Sequence, residues 1–492
     1  MTHNTQTTKH TPFLKHFRDG FLHDPTPCQQ SAMEMITHFL FDKEPHQLLI
    51  LNGYAGTGKT TLISAFVKAL NDWKIKNHLL APTGRAAKVL GGYAGKKAHT
   101  IHRFIYRIHT SREGKPVIIP RDNKSAHTVY VVDEVSMIQG TENPAFDQQD
   151  AFAGRNILDD LIRFVYQSEN CRMVFVGDQA QLPPVGSVLS PAMRVDLLKA
   201  RYSLNIVQAT LQTVVRQESH SGVLANAFFL REKINNGEYN PPLLHSNQHD
   251  VTVAHHYDLA DELSDAFGSN HRKSAVIITR SNKRANLYNQ EIRNRILFRE
   301  QEIEGGDLLM VVKNNYFWLP DDSPAGFIAN GDMVEVLRIR NIEDKHGFRF
   351  ADAMVRFPEY DGETDFEVKL LLSSIHAEAA SLTDAQRKEL FNAVREEVDL
   401  DNKVNPSERR TLTKDPYYNA LQVKFAYAMT CHKTQGGQWE KVFIDQGWLP
   451  EERIDKEYLR WLYTAVTRAT EKLMLIGFKN NYVCQNEVAK PL

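Results

Sequence analysis

The stretch Leu48-Leu49-Ile50-Leu51-Asn52-Gly53-Tyr54-Ala55-Gly56-Thr57-Gly58-Lys59-Thr60-Thr61 runs from four apolar residues into the pattern G-x-x-x-x-G-K-T, and a helical pattern from Leu62 to Leu70 follows it. A strand, a glycine-rich turn and a helix in that order mark a nucleoside-triphosphate site. Residues without a Cβ at Gly53, Gly56 and Gly58 let the chain wrap tightly, so the backbone of Ala55, Thr57 and Thr61 comes within reach of phosphate oxygens. The helix starting near Lys59 adds the positive end of its dipole. The Lys59 ammonium reaches the β and γ phosphates, and the Thr60 hydroxyl ligates Mg²⁺, so ATP and Mg²⁺ are the expected cofactors. An ordinary glycine-rich turn needs neither the apolar strand before it nor the amphipathic helix after it.

A second apolar run, Thr128-Val129-Tyr130-Val131-Val132, ends in Asp133-Glu134. A P-loop ATPase needs an acid for the metal, here Asp133, and a second carboxylate to orient water, here Glu134. A surface acidic pair is the bland alternative. Four apolar residues immediately before it favour a buried parallel strand instead.

The chain has 492 residues, 42% of them hydrophobic, which exceeds what one core supports and predicts three or four compact units. A net charge of −1 gives no whole-chain evidence for a nucleic-acid partner. Local charge does: Gly84 to Lys124 carries ten Lys or Arg against two acids. Cys28, Cys171, Cys431 and Cys484 form no C-x-x-C pair, which argues against a zinc ribbon or a disulfide framework and fits a reducing compartment. No apolar run approaches a membrane span, and Met1 to His10 lacks a signal-peptide core, so a cytoplasmic protein with no membrane partner is expected.

Between residues 48 and 215, apolar strands at Leu48 to Leu51, His78 to Ala81, Val129 to Val132 and Met173 to Val176 alternate with helical patterns, the rhythm of a parallel sheet. The basic segment interrupts it. Phe104 to His109 and Pro116 to Pro120 flank Thr110 to Lys115 and predict a β-hairpin. A second alternating region opens at Ser274 to Thr279 and resumes at Val442 to Asp445 and Leu473 to Ile476. Short β-like runs at Leu308 to Val312, Met333 to Ile339, Phe348 to Phe357 and Phe366 to Leu372 lie between, and predict a small inserted barrel. Leu382 to Leu400 has helical spacing and many charges, the pattern of a solvated helix. The expected division is 1–90 with 125–215 as a first domain, 91–124 as a hairpin insertion, 216–305 with 421–492 as a second domain, and 306–420 as the barrel with a helical extension.

Further segments carry a family resemblance from about residue 22 to 478: Ala81-Pro82-Thr83-Gly84-Arg85-Ala86-Ala87, Ala98-His99-Thr100-Ile101-His102-Arg103-Phe104, Gly177-Asp178-Gln179-Ala180-Gln181-Leu182-Pro183-Pro184, Ala426 to Gly436, and Tyr463-Thr464-Ala465-Val466-Thr467-Arg468-Ala469. With the P-loop they resemble superfamily 1 DNA helicases of the RecD-like and Dda-like, 5′ to 3′ group. The resemblance implies an α/β fold of two RecA-like P-loop domains, a β-hairpin wedge inserted in the first and an SH3-like β-barrel in the second. It implies that Gln29 meets the adenine edge, that Gln181 senses the γ-phosphate, and that Arg216 and Arg468 approach it from the second domain. Gln435 and Gly436 are expected to face the nucleotide.

Single-stranded DNA is implied to meet Pro82, Thr83, Arg85, His102, Arg103 and Phe104 from the first domain, with His102 and Phe104 stacking on bases. From the second domain the implied contacts are Thr279, Arg280, Asn282, Thr430, His432 and Lys433. Read this way the chain is an ATP-dependent helicase acting on single-stranded and forked duplex DNA, expected as a monomer, in DNA repair or recombination; accessory loading proteins are left open. Two other classes remain: a P-loop enzyme without a motor, which needs none of the second-domain segments, and a strand-stimulated ATPase that remodels without separating duplex.

Overall fold

The computed structural model describes residues 4–110, 116–140, 155–213, 221–246, 249–254, 258–268, 274–320, 323, 325, 327–358, 364–379, 381–404 and 411–484. The first lobe holds β1 (Gln47–Gly53), β2 (Asn77–Ala81), β3 (Ala98–Thr100), β4 (Tyr106–Thr110), β5 (Pro116–Pro120), β6 (Val129–Val132), β7 (Arg172–Gly177) and β8 (Asn205–Leu211). Six of these form one sheet in the order β3-β2-β6-β7-β1-β8, every pairing parallel. Alternation along each apolar run then decides which side a residue serves. Leu49, Leu51, Val129, Val131, Val174 and Val176 enter the core on one face, while Leu48, Ile50, Tyr130, Val132, Met173 and Phe175 enter the core on the other. Such strands have no polar side. The register pairs Asn52 with Gly177 and Val132 with Phe175, so β1, β6 and β7 end along a common edge.

Strands β4 and β5 pair with each other, Tyr106 opposite Pro120, and stand apart from the sheet as the expected hairpin. Its tip, Ser111 to Lys115, lies outside the described residues. The base is fixed: the Tyr106 hydroxyl donates to Asp160 at 2.7 Å, Arg121 Nε donates to the Tyr106 carbonyl at 2.7 Å, and Arg155 Nη2 donates to the Ile118 carbonyl at 2.9 Å. The expected insertion boundary at residue 91 needs correction. β3 hydrogen-bonds to β2 and extends the main sheet, so only the hairpin leaves it.

The second lobe opens with β9 (Leu244–His245), β10 (Val251–Ala254) and β11 (Ala275–Thr279). The chain then leaves for β12 (Leu308–Val311), β13 (Met333–Lys345), β14 (Phe348–Arg356), β15 (Phe366–Leu371) and β16 (Leu421–Phe425), which close into a barrel. It returns with β17 (Ala428–Thr430), β18 (Trp439–Asp445), β19 (Ala469–Ile476) and β20 (Val483–Cys484). The lobe's main sheet is parallel, in the order β10-β19-β18-β11-β17. Here too a boundary moves. β16, expected to begin the returning domain at residue 421, pairs antiparallel with β12 and parallel with β15, and closing the barrel removes its free edges.

The barrel is joined to the lobe through Asp307, which is fully buried. Its carboxylate accepts from Arg293 Nε and Nη2 at 3.1 Å each, pairs with Arg299 at 2.7 Å, and accepts from the Tyr427 hydroxyl at 3.0 Å. Two guanidinium groups around one carboxylate satisfy charges that water cannot reach. The charged helix of the extension runs over Asp384–Val404 and buries Leu390, Val394 and Val398 against Phe348 and Phe350 of β14, while Leu400 and Val404 near its end are exposed. Residues 405–410 of that extension lie outside the described residues.

Candidate nucleotide cleft and strand-binding edge

The loop after β1 turns through Gly56 and Gly58, whose φ angles of 77° and 80° lie in the left-handed region, and delivers the chain to the Lys59–Asp72 helix. Gly53 is needed for space. A Cβ there would lie 2.9 Å from Lys59 Cγ and 2.9 Å from Thr57 Oγ1. The Lys59 ammonium donates to the carbonyls of Gly53 at 2.5 Å and Tyr54 at 2.9 Å, so it is held over the loop. Gln29 is buried in a capping box, its Oε1 accepting the Thr26 N–H at 2.9 Å, while its Nε2 donates to the Thr57 carbonyl at 3.0 Å. Its amide braces the loop from beneath and also lines the cleft.

A cleft of about 1080 Å³ opens over this loop. From the first lobe Lys59, Thr60, Thr61, Asp133, Glu134 and Gln181 line it; from the second come Gly436, Gly437, Gln438, Thr467 and Arg468. Asp133 sits where solvent is scarce, and this, with the adjacent Glu134 charge, pushes its carboxyl up to about 7. Two carboxylates crowded together in this way suit a divalent cation. Glu134 has φ 54°, a left-handed conformation that costs a residue with a Cβ about 1–2 kcal/mol. Gln181 is buried, and its Oε1 has no hydrogen-bond partner among the described residues. A buried acceptor left over at a cleft wall suits a ligand or a water that arrives with one.

Arg468 is 4% exposed. Its Nε donates to the Thr464 carbonyl at 3.0 Å, Nη1 to the Gly437 carbonyl at 3.1 Å and Nη2 to Thr467 Oγ1 at 3.1 Å, fixing the guanidinium plane at the cleft wall. Arg216 lies outside the described residues. Gln435 departs from expectation: its Nε2 crosses to the Leu182 carbonyl of the first lobe at 2.6 Å, and Gly436, not Gln435, lines the cleft. Gln435 is therefore a tie between lobes.

The expected strand contacts divide. Pro82 and Thr83 follow β2, Arg280 and Asn282 follow β11, and Thr430, His432 and Lys433 end or follow β17, all at carboxyl edges of the two sheets. The Thr83 hydroxyl already caps the Gly84–Ala94 helix by accepting the Ala86 N–H at 3.2 Å. Burial pushes the Lys433 ammonium down to about 8, and among the described residues no carboxylate pairs with it. Besides Thr83, four of the expected residues are engaged internally. Thr279 is fully buried, its hydroxyl donating to the Ser281 carbonyl at 2.9 Å. Phe104 packs against His78, Tyr130 and Phe164 in the first-lobe core, with ring centres 4.7, 6.1 and 5.7 Å away. Arg85 turns toward the second lobe, stacking 3.7 Å above the Trp439 ring and donating to the Gln438 carbonyl at 3.1 Å. Arg103 similarly reaches the Ser323 carbonyl at 3.5 Å.

His99 and His102 are both pushed down to about 4, His102 by loss of solvent, His99 by that and by Arg103, Lys97, His78 and Arg121. Their folded-state values lie below the ordinary 6.5, so protons bind the unfolded chain better. The stability they contribute is complete above pH 6.5 and is lost as pH falls toward 4. The melting temperature should therefore drop across that window, and the double variant His99→Asn/His102→Asn should show a shallower slope in thermal melts from pH 7 to 4.5; an unchanged slope contradicts the assignment.

Sequence reading assigned no role to Tyr463, Thr464 or Asp178, although all three stand in the quoted segments. The Tyr463 hydroxyl touches both Ala55 and Asp178, and Thr464 Oγ1 accepts the Leu182 N–H at 2.8 Å. A tyrosine and a threonine on the buried part of a helix read as packing until the opposite lobe is in view.

Two family models match the chain: the AAA domain over residues 26–238 and the UvrD-like helicase C-terminal domain over residues 425–476. The uncharacterized protein R530 of Acanthamoeba polyphaga mimivirus is 23% identical over 90% of this chain and 98% of its own length. The ATP-dependent RecD2 DNA helicase of Deinococcus radiodurans is 30% identical over 34% of this chain, an alignment spanning 20% of that enzyme. The ATP-dependent DNA helicase dda of Enterobacteria phage T4 is 28% identical over 33% of each chain. A solved structure of Pif1 helicases at forked duplex DNA aligns over 94% of both chains, with 17% identity and a TM-score of 0.45. With an AAA-domain lobe and a lobe carrying the UvrD-like helicase C-terminal domain lining one cleft, the chain is similar, over about a third of its length, to the RecD2 and dda ATP-dependent DNA helicases.

Proposed function

We propose that this chain is an ATP-driven motor that moves 5′ to 3′ along single-stranded DNA and separates duplex at a fork. The observation that carries the reading is the shared cleft, where Lys59 of one lobe and Arg468 of the other line the same cavity. A triphosphate seated there touches both lobes, so its binding draws them together and its hydrolysis lets them part. Glu134 orients the attacking water, Gln181 meets the γ-phosphate and Arg468 stabilises charge on the transferring group. Thr60 and Asp133 would hold Mg²⁺, which supplies neutralisation of phosphate charge.

The strand runs along the carboxyl edges, past Pro82 and Thr83 on the first lobe and past Arg280, Asn282, Thr430, His432 and Lys433 on the second. Alternate grip by the two lobes then becomes directed travel. The β4–β5 hairpin serves as the wedge. Base-pair stacking averages about 1.4 kcal/mol per step, so a wedge needs firm placement more than specific contacts. The hydrogen bonds from Tyr106, Arg121 and Arg155 supply that placement. We further propose that the motor acts as a monomer in the cytoplasm; among the described residues no helix is long and apolar enough to cross a membrane.

Strand separation on forks bearing a single 5′ or a single 3′ tail, with and without ATP, tests motor, substrate and polarity together. Unwinding is expected only with ATP and a 5′ tail. ATP hydrolysis stimulated by single strands without any unwinding would favour a remodeller, and a preference for 3′ tails would reverse the polarity.

A further inference from the structure

We propose that Tyr463 is a positioning residue that ties the phosphate loop to the Gln181 turn whenever the lobes are closed, so that strand-dependent movement of the second lobe is felt at both. The helix Lys456–Val466 of the second lobe is buried along Tyr458 to Val466, and its last turn enters the first lobe. There the Tyr463 hydroxyl accepts the Ala55 N–H of the phosphate loop at 2.9 Å and donates to Asp178 Oδ2 at 2.6 Å. The other carboxylate oxygen, Asp178 Oδ1, accepts the Ala180 N–H at 2.9 Å, which shapes the turn carrying Gln181 into the cleft. One residue on, Thr464 holds Leu182 by its N–H, while Gln435 holds Leu182 by its carbonyl.

The consequence is geometric. Ala55 and Asp178 both belong to the first lobe, yet they are joined through a hydroxyl that belongs to the second. Parting the lobes removes a donor from the Asp178 carboxylate and an acceptor from a phosphate-loop amide in one movement. Closing them restores both and returns the Gln181 turn to a set position relative to the loop. Burial, with Asp178 adding to it, raises the Tyr463 phenol well above its ordinary range, so the hydroxyl keeps the proton it donates. A phenylalanine would fill the same space, so the hydroxyl is the separable part of this residue.

This rests on the motor reading, and the test separates the two. Steady-state hydrolysis is measured with and without single-stranded DNA for the parent, Tyr463→Phe, Asp178→Asn and the double variant. Each single variant is expected to lower strand-stimulated kcat about tenfold with KM for ATP within twofold, and the double variant is expected to lose no more than either alone. A residue that merely packs would give multiplying losses in the double variant, and that result overturns the proposal. Strand stimulation unchanged in both singles also overturns it while leaving the motor standing. A parent that strands do not stimulate overturns both. Should Tyr463→Phe fail to fold, Asp178→Asn alone decides, since it keeps the shape and removes the accepting charge: a tenfold fall supports the tie and parental stimulation refutes it.

Discussion

Lys59→Ala is expected to lower ATP turnover by at least about 10²–10³-fold, the loss typical of removing one preorganised charge-stabilising donor from an active site. The ammonium is held by the carbonyls of Gly53 and Tyr54 before any substrate arrives, so little reorganisation is needed when phosphate charge comes to it. Alanine is the strongest helix former and Lys59 is the first residue of its helix, so the fold should survive with a melting temperature within a few degrees of the parent. The measurement is strand-stimulated phosphate release under saturating ATP, beside a thermal melt. Turnover within tenfold of the parent in a folded variant would move the reaction away from this loop. Lys59→Arg should not rescue: the longer, planar guanidinium cannot take the place of a compact ammonium that donates to the Gly53 and Tyr54 carbonyls together.

What the chain revealed before its structure follows from the range over which each signal acts. The phosphate loop, the strand ending in Asp133 and the apolar runs of β1, β2, β6 and β7 are local, since a strand buried on both faces must be apolar throughout. β3 and β17 have three residues each, too few to show a period. The run from Leu421 to Met429, apolar but for Gln422 and Lys424, looks like one segment, yet it divides between the barrel and the second sheet, joined by Ala426 and Tyr427. Nothing in its own residues marks that division, because it depends on β12 and β11 arriving from elsewhere. The family resemblance implies Arg85 as a strand contact, a cation just past the end of a strand. Its partner Trp439 lies more than 350 positions away, and cation–π pairing leaves no spacing to read. Gln435 and Tyr463 repeat the lesson, since each is spoken for by an atom of the opposite lobe.

Arg468→Ala is expected to lower strand-stimulated hydrolysis by about 10³-fold or more, the range typical of an arginine supplied to a transferring phosphoryl group. A guanidinium has five N–H donors, and Arg468 directs one from each of its three nitrogens to Thr464, Gly437 and Thr467. Two donors remain for the cleft it lines. Their plane is set by the second lobe, whereas the triphosphate is set by the first, so the arginine meets its target only when the cleft is closed. That makes the loss one of turnover: binding of a fluorescent ATP analogue should stay within about threefold of the parent while kcat collapses. Arg468→Lys sharpens the test. Lysine keeps the charge but cannot hold three second-lobe acceptors and a phosphate from one plane, so it should recover less than a tenth of parental kcat. Parental turnover in either variant would mean that the second lobe closes on the nucleotide without contributing charge to the reaction, and the shared cavity would then be a hinge with chemistry confined to the first lobe.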